Sequence, residues 1–573
     1  MARRSIHERL SRALPDHYRN LRKYRELRRT ILRDYAGTLY PENETIHADK
    51  AIVNLTQQAA EAMIMTLSAN RPRVIITAKE PRYRAFAGKM ERALNRFSEL
   101  ISLEESLQDI VRDAFSGPGI AKVCLGDSLA VGMEVDYRMD PGRPYVQRVC
   151  LDHFTFDTAA ATVQQASFFA DRYRVSYDQL MGDARFRKFR NRLEGLVNHR
   201  DEEEYRFDHT LERAVDYVWL ADCYVPHEAR VYTYVVNSSF NLQIEEPIAV
   251  QRWTGDESGP YYLLNLGPVP DEIMPSSPGQ NLKLLSELNN AIYRKLENQA
   301  RRQKVVTVGH NSNEKDAEIL RQLRDGEHAA ISNPDAVRQL RFDGPDNNLF
   351  GFFLNAQQQF SRAAGNLDHK LGLRASADTI GQESMLGAAV NRMEGYQQQR
   401  YVAFVRKVMR GVARLLWLDG FTIIPGTNQV PGTQFQVDDT WLGSVESNSR
   451  QGDFANYLVD IDPFSMAYKS PQERLMAIRS ELQQWLPVLP MLAQMGIQPD
   501  IDEYFRQVSR LQDLPEITQI FKTNQPPLEM AQGGSGGGAT PKREYIHRSA
   551  GSAPNPDQEA LSMFSAPPDA AGE

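Results

Sequence analysis

Apolar positions recur at three- and four-residue spacing in three stretches of the second half of the chain. Leu282, Leu285, Leu288 or Asn289, Ile292 and Leu296 form one stripe on an otherwise polar rod, which predicts an amphipathic helix. A second stripe begins near Asn348 and passes through Leu349, Phe352, Phe353, Ala356 and Phe360 before Gly365. A third runs from Met385 to Leu418 with Leu386, Val390, Met393, Tyr401, Phe404, Val408, Val412 and Leu415 in a heptad-like beat. A helix of that length is roughly 50 Å long. Between the first two stripes lies a compact insert bounded by Gly309 and Gly344-Pro345. Between the second and third lies a loop, Leu367 to Gly381, with His369, Lys370 and Arg374 and little bulky apolar content.

Upstream the pattern is mixed. Residues 1–36 place Leu10, Leu14, Leu21, Leu27 and Ile31 on one helical stripe beneath eleven lysines and arginines. This reads as an amphipathic helix with a solvated basic face, or else as a DNA-facing or partner-docking arm. A helix over 51–67, a strand over 74–77 and helical segments over 84–115 broken near Ile101-Ser102 follow. A Gly117-Pro118-Gly119 turn then leads into a strand at 120–125. Alternation predicts strand over 138–157; residues 176–204, polar and basic then acidic, read as a helix with a solvated loop, and 215–236, rich in Tyr and Val with Trp219, have the composition of antiparallel strands with a hairpin at Pro226-His227-Glu228. Residues 248–253 and 261–266 read as a further strand pair joined by a Gly-rich turn. Downstream, 421–424 and 434–437 read as strands. Ser470-Pro471-Gln472-Glu473 is a capping box that opens a run of Pro-punctuated helices. Beyond Pro526-Pro527 the composition is that of a disordered tail.

Composition narrows the functional classes. Apolar residues make up 41% and charged residues 25% of 573, so most of the chain should fold. A net charge of −7 argues against a protein that coats nucleic acid tightly, though not against one that lets a duplex slide past. Cys124, Cys150 and Cys223 lack metal-like spacing and read as reduced thiols of a cytosolic product. No apolar run approaches the ~18 residues of a membrane span.

Candidate chemistry is sparse. Gly117 to Lys122 imitates a phosphate loop but lacks the Gly before Lys and the hydroxyl residue after it that would serve the phosphates and Mg²⁺. Gly533-Gly534-Ser535-Gly536-Gly537 fits a nucleophile motif only formally, because a glycine run supplies neither the strand nor the helix that strains the serine outward. Asp152, His153, Asp157 and Asp171 are conceivable metal or acid/base partners, with turn and strand-end duty the plainer reading. No cofactor, metal site or catalytic residue is expected.

The order helix, small insert, helix, flexible loop, long helix resembles the portal proteins of tailed bacteriophages. The resemblance implies an α+β, mostly α-helical subunit with wing, stem, clip and helical crown that assembles into a ring. Laid on this chain, it gives an N-terminal arm and wing over 1–279, a first stem helix over 280–304, a clip over 305–345 and a second stem helix over 346–366. A tunnel loop over 367–383, a long wing helix with wing strands over 384–460, a crown over 461–525 and a disordered tail over 526–573 complete it. The implied function is structural: a homo-oligomeric ring, dodecameric in the family, at one capsid vertex of the virion, assembled in the host cytoplasm. Double-stranded DNA would pass along its axis, and His369, Lys370 and Arg374 of the loop with Arg301, Arg302 and Lys304 of the stem would face the phosphates. The terminase large subunit would dock on it and supply the energy, and major capsid, scaffolding and tail adaptor proteins would be further partners; no membrane is involved. The stem and long-helix stripes read as too narrow for a thick private core, so neighbouring copies would cover them. An adaptor or scaffolding protein that forms no closed ring, and a metal-dependent nuclease using Asp152, Asp157 and Asp171, are the other classes compatible with the sequence.

Overall fold

The computed structural model describes residues 5–37, 53–68, 70–125, 144–182, 186–200, 212–309, 337–342, 344–365, 367, 380–419, 422–429, 436–441, 451–462, 465, 466, 476 and 480. The chain divides into two units, Met1–Lys469 and Ser470–Glu573. Of the second unit only Met476 and Ser480 are described, both helical; apart from these two and Ile461, Asp462, Ser465 and Met466, the crown expected over 461–525 and the tail lie outside the described residues.

The first unit is α+β with helix predominating. Its basic N-terminus forms two helices, α1 (Ile6–Asn20) and α2 (Arg22–Ala36), where the sequence reads as one stripe. Ser5 caps α1 by accepting the Glu8 N–H. Then come α3 (Leu55–Ser68), β1 (Val74–Ala78), α4 (Arg84–Leu100) and α5 (Leu103–Ser116), the last two parted at Ile101-Ser102 as the pattern predicts. Strand β2 (Gly119–Leu125) lies between β3 (Pro144–Arg148) and β10 (Tyr261–Leu264). A six-stranded antiparallel sheet holds β4 (Phe154–Phe156), β5 (Phe169–Ser176), β7 (Glu212–Val225), β8 (Arg230–Val235) and β9 (Ala249–Arg252) in that order, with β6 (Asn198–Arg200) also on β7. Residues 176–204, read as helix and loop, thus also supply a strand.

Alternation along β7 divides the work of the sheet. Tyr217, Trp219, Ala221 and Cys223 pack on one face, which Leu10 and Leu14 of α1 cover. Val218 and Leu220 face the other way into a separate apolar cluster. His7 Nδ1 on Tyr234 Oη and His17 Nδ1 on Thr158 Oγ1, each at 2.7 Å, fix α1 along its length.

The expected pairing of 248–253 with 261–266 is wrong. β9 pairs β8, and β10 pairs β2 in the other sheet. The connection between them is pinned elsewhere: Asp256 is buried and meets Arg410 Nε at 3.1 Å, and Trp253 Nε1 donates to the Asp256 carbonyl at 2.7 Å. Alternation marks a strand but not its partner. Similarly, the described residues of 421–424 contribute only the bridge Ile424–Trp441, while β13 (Thr427–Gln429) pairs β14 (Gln436–Asp438).

From Tyr401 onward the long helix α8 (Ile380–Leu418) is not a slender rod awaiting a neighbour. Tyr401, Phe404, Val405, Val408, Met409, Val412 and Leu416 are buried with α3, α4, α5 and the β1–β15 pair in the largest core, β15 being Tyr457–Ile461. The expectation of a thin stripe fails here because Val402, Val405, Met409, Ala413 and Leu416 widen it into a face that the spacing of the selected residues understated. The outer edge of β1 is closed by α4: Val74 N–H donates to Asn95 Oδ1 at 2.8 Å and Ile76 N–H to Glu91 Oε2 at 2.9 Å. Gly119 is required where β2 meets α5, because a Cβ there would lie 2.5 Å from the Ile110 carbonyl oxygen.

Candidate functional site

Helix α6 (Pro278–Arg302) begins after Ser277, whose hydroxyl accepts the Gln280 N–H at 3.2 Å and whose follower Pro278 has no N–H to lose. Helix α7 (Asn347–Ala363) is capped by Asp346. The two run antiparallel and are joined through β11 (Lys304–Gly309) and β12 (Val337–Phe342), paired in register from Lys304↔Phe342 to Gly309↔Val337. Lys304, expected at the end of the first stem helix, therefore opens the hairpin. Among the described residues β11 and β12 pair only with each other.

The apolar cluster between α6 and α7 holds Ile292, Leu296, Phe353 and Ala356, with Tyr293, Leu349 and Val53 at its margin. The choice left open by spacing, Leu288 or Asn289, falls to the polar residue. Asn289 is fully buried and donates Nδ2 to the Leu285 carbonyl at 2.8 Å and to the Ala356 carbonyl at 3.3 Å across the pair, while Leu288 is 40% exposed. Leu284, Phe350, Phe352 and Leu354 are also exposed, at 74%, 50%, 53% and 47%.

Of the candidate DNA-facing residues, Arg301 is exposed and bound to Glu297 Oε1 at 2.7 Å, which offsets its charge. Arg302 is exposed at the helix C-terminus, where the backbone carbonyls favour a cation. Lys304 is placed by its register on β11. His369, Lys370 and Arg374 lie outside the described residues.

The base of α6 meets α2 at Asp34. Burial, then the Glu287 carboxylate, push the Asp34 pKa up to about 6, with Lys283 opposing. A carboxyl raised in the folded state stabilises the fold at low pH, and that contribution is lost as pH rises through about 6. Asp34→Asn is therefore expected to raise the thermal midpoint at pH 7.5 and to leave it unchanged below pH ~4, the unfolded carboxylate range. A melting series across that range checks it.

The three aspartates considered for a metal do not converge. Asp152 is buried and takes Arg28 Nη1 at 2.8 Å and Arg29 Nη2 at 3.1 Å. Asp157 accepts the Ala159 and Ser167 N–H groups at 3.1 and 3.2 Å, the turn duty its chemistry favours. Asp171 binds Lys122. Among the described residues no group of three His, Cys, Asp or Glu could hold a metal ion. His153 lies beside Trp219 and its Nδ1 accepts from Arg172 Nε at 3.2 Å.

Two buried charge networks were not foreseen. Lys122 Nζ reaches from β2 to Asp171 on β5 at 2.8 Å and Asp222 on β7 at 2.9 Å. Tyr261 donates to Asp171, and Tyr173 and Thr233 donate to Asp222 at 2.9 and 2.8 Å. Burial alone would lower the Lys122 pKa, but the two carboxylates raise it above the ordinary lysine value. The lysine of the mock phosphate loop is thus committed to joining two sheets. In the second network Arg28, buried on the arm expected to be solvated, spans Asp113 Oδ1 at 3.0 Å and Asp152 Oδ2 at 2.8 Å, and Arg148 also binds Asp113. Burial would raise Asp113, yet Arg28 and Arg148 hold it below the usual carboxylate value. Arg25, buried too, stacks over the Tyr18 ring at 3.6 Å. Arg9, Arg12, Arg19, Arg22 and Lys23 are exposed as a solvated face requires, and the reading fails only at Arg25 and Arg28; helical position does not reveal the carboxylates that Arg28 meets, supplied from more than eighty residues away.

Among the described residues no helix is long and apolar enough to cross a membrane. A scan against known protein families and a search of curated proteins return no match to this chain.

Proposed function

We propose that the chain is the ring-forming portal subunit of a tailed bacteriophage, set at one capsid vertex of the virion and assembled in the host cytoplasm. The observation that carries this reading is the antiparallel α6–α7 pair, closed at one end by the β11–β12 hairpin and leaving five large apolar side chains in water. Such a pair is poorly covered alone and is covered by copies arranged around an axis. The ring, dodecameric by likeness to portals, passes double-stranded DNA inward during packaging and outward at ejection. The terminase large subunit docks on it and hydrolyses the ATP; capsid, scaffolding and tail adaptor proteins surround it at different stages.

Weak, sequence-independent contacts suit a channel, because several fixed bidentate contacts would hold a duplex that must move. Lys370 and Arg374, with His369, Arg301, Arg302 and Lys304, supply them in this reading. Replacing Lys370 and Arg374 together by alanine is expected to lower nuclease-protected DNA per particle several-fold while particles still assemble. Unchanged packaging and retention would remove these residues from the channel.

A further inference from the structure

The exposed apolar residues of the α6–α7 pair lie on two opposite flanks. At 3.6 residues per turn, Phe350 and Phe352 leave α7 about 200° apart, and Leu354 follows Phe350 one turn on. Leu284 and Leu288, also one turn apart, form a single stripe on α6. Because the helices are antiparallel, with Asn289 opposite Ala356 and Gln299 opposite Asp346, Phe352 emerges on the same side of the pair as Leu284 and Leu288. Phe350 and Leu354 emerge on the other side. At their exposures the five side chains leave roughly 450 Å² of apolar surface in water, a large share of the apolar part of a specific interface of about 1,200–2,000 Å².

We propose that this is a head-to-tail contact between copies of the chain: the Leu284, Leu288 and Phe352 flank of one copy packs on the Phe350 and Leu354 flank of the next. A two-fold contact would cover one flank twice and leave the other in water. A head-to-tail contact covers both with one kind of partner, and it propagates until it closes. The assignment rests on the ring reading and goes beyond it by naming the two faces that meet.

The test uses two full-length variants, Leu284→Asp/Leu288→Asp and Phe350→Asp/Leu354→Asp, with circular dichroism to show that each is folded. All four positions are exposed, so the fold should be kept. Native mass spectrometry of each variant alone is expected to show monomer. An equimolar mixture is expected to give a one-to-one heterodimer and nothing larger, because each variant keeps the flank that the other needs. Homodimers of either variant alone, or rings that persist in both, would overturn the proposed contact and leave the ring reading standing. A wild-type chain that is monomeric throughout would overturn both.

Discussion

Lys122→Met should cost the folded unit ~3–5 kcal/mol, read as a fall in the urea midpoint, because it removes the one ammonium between two buried carboxylates. Lys122, Asp171 and Asp222 are 3%, 3% and 7% exposed, so water cannot take over the lost role. The side chain also links separate sheets: β2 belongs to the three-stranded one, and β5 and β7 to the six-stranded one. A methionine of similar length keeps the packing and isolates the charge effect. Adding Asp171→Asn and Asp222→Asn should recover most of the loss, since an uncharged cluster no longer buries unmatched carboxylates. If the single variant melts like the wild type, the cluster does not tie the sheets.

The second large effect is expected at Arg28. Alanine there leaves Asp152 with Arg29 and Asp113 with Arg148, so the loss should be smaller, about 3 kcal/mol. Lysine should rescue it only in part, because Arg28 meets Asp152 from Nη1 and Asp113 from Nη2, a spacing of donors that a single ammonium does not reproduce. Asp113 is held low in the folded state, so its contribution is present above the unfolded carboxylate range and is lost as pH falls through its lowered value. The gap between wild type and Arg28→Ala should accordingly narrow on acidification. Limited proteolysis adds a local readout: residues 6–36 should become the first site of cleavage if Arg28 anchors the arm.

What the sequence discloses and what it withholds divide along physical lines. Three-and-four spacing located α6, α7 and α8, and a local run of Tyr, Val and Trp located β7 and β8 with their turn at Pro226. Both are properties of neighbouring residues. Partnership is not: nothing near Tyr261 says that it pairs with Lys122 rather than with residues 249–252. Burial of charge is likewise non-local, which is why Arg28 read as solvated and Asp152 as a possible metal ligand when each satisfies the other. The width of an apolar face is intermediate. Leu288 fits the stem stripe by spacing, yet Asn289 takes the buried position because the Ala356 carbonyl lies within reach. Of the site residues, Arg301 and Arg302 were legible as a basic helix end, but the Glu297 partner of Arg301 tempers that reading.

Everything proposed about channel, terminase and vertex depends on whether copies of this chain close around an axis. Native mass spectrometry of the purified full-length protein over a wide concentration range decides it. A single closed species at an integral multiple of 65.1 kDa, twelvefold by likeness to portals, is the expected result. A folded 65.1 kDa monomer at every concentration, with or without capsid components, would contradict it.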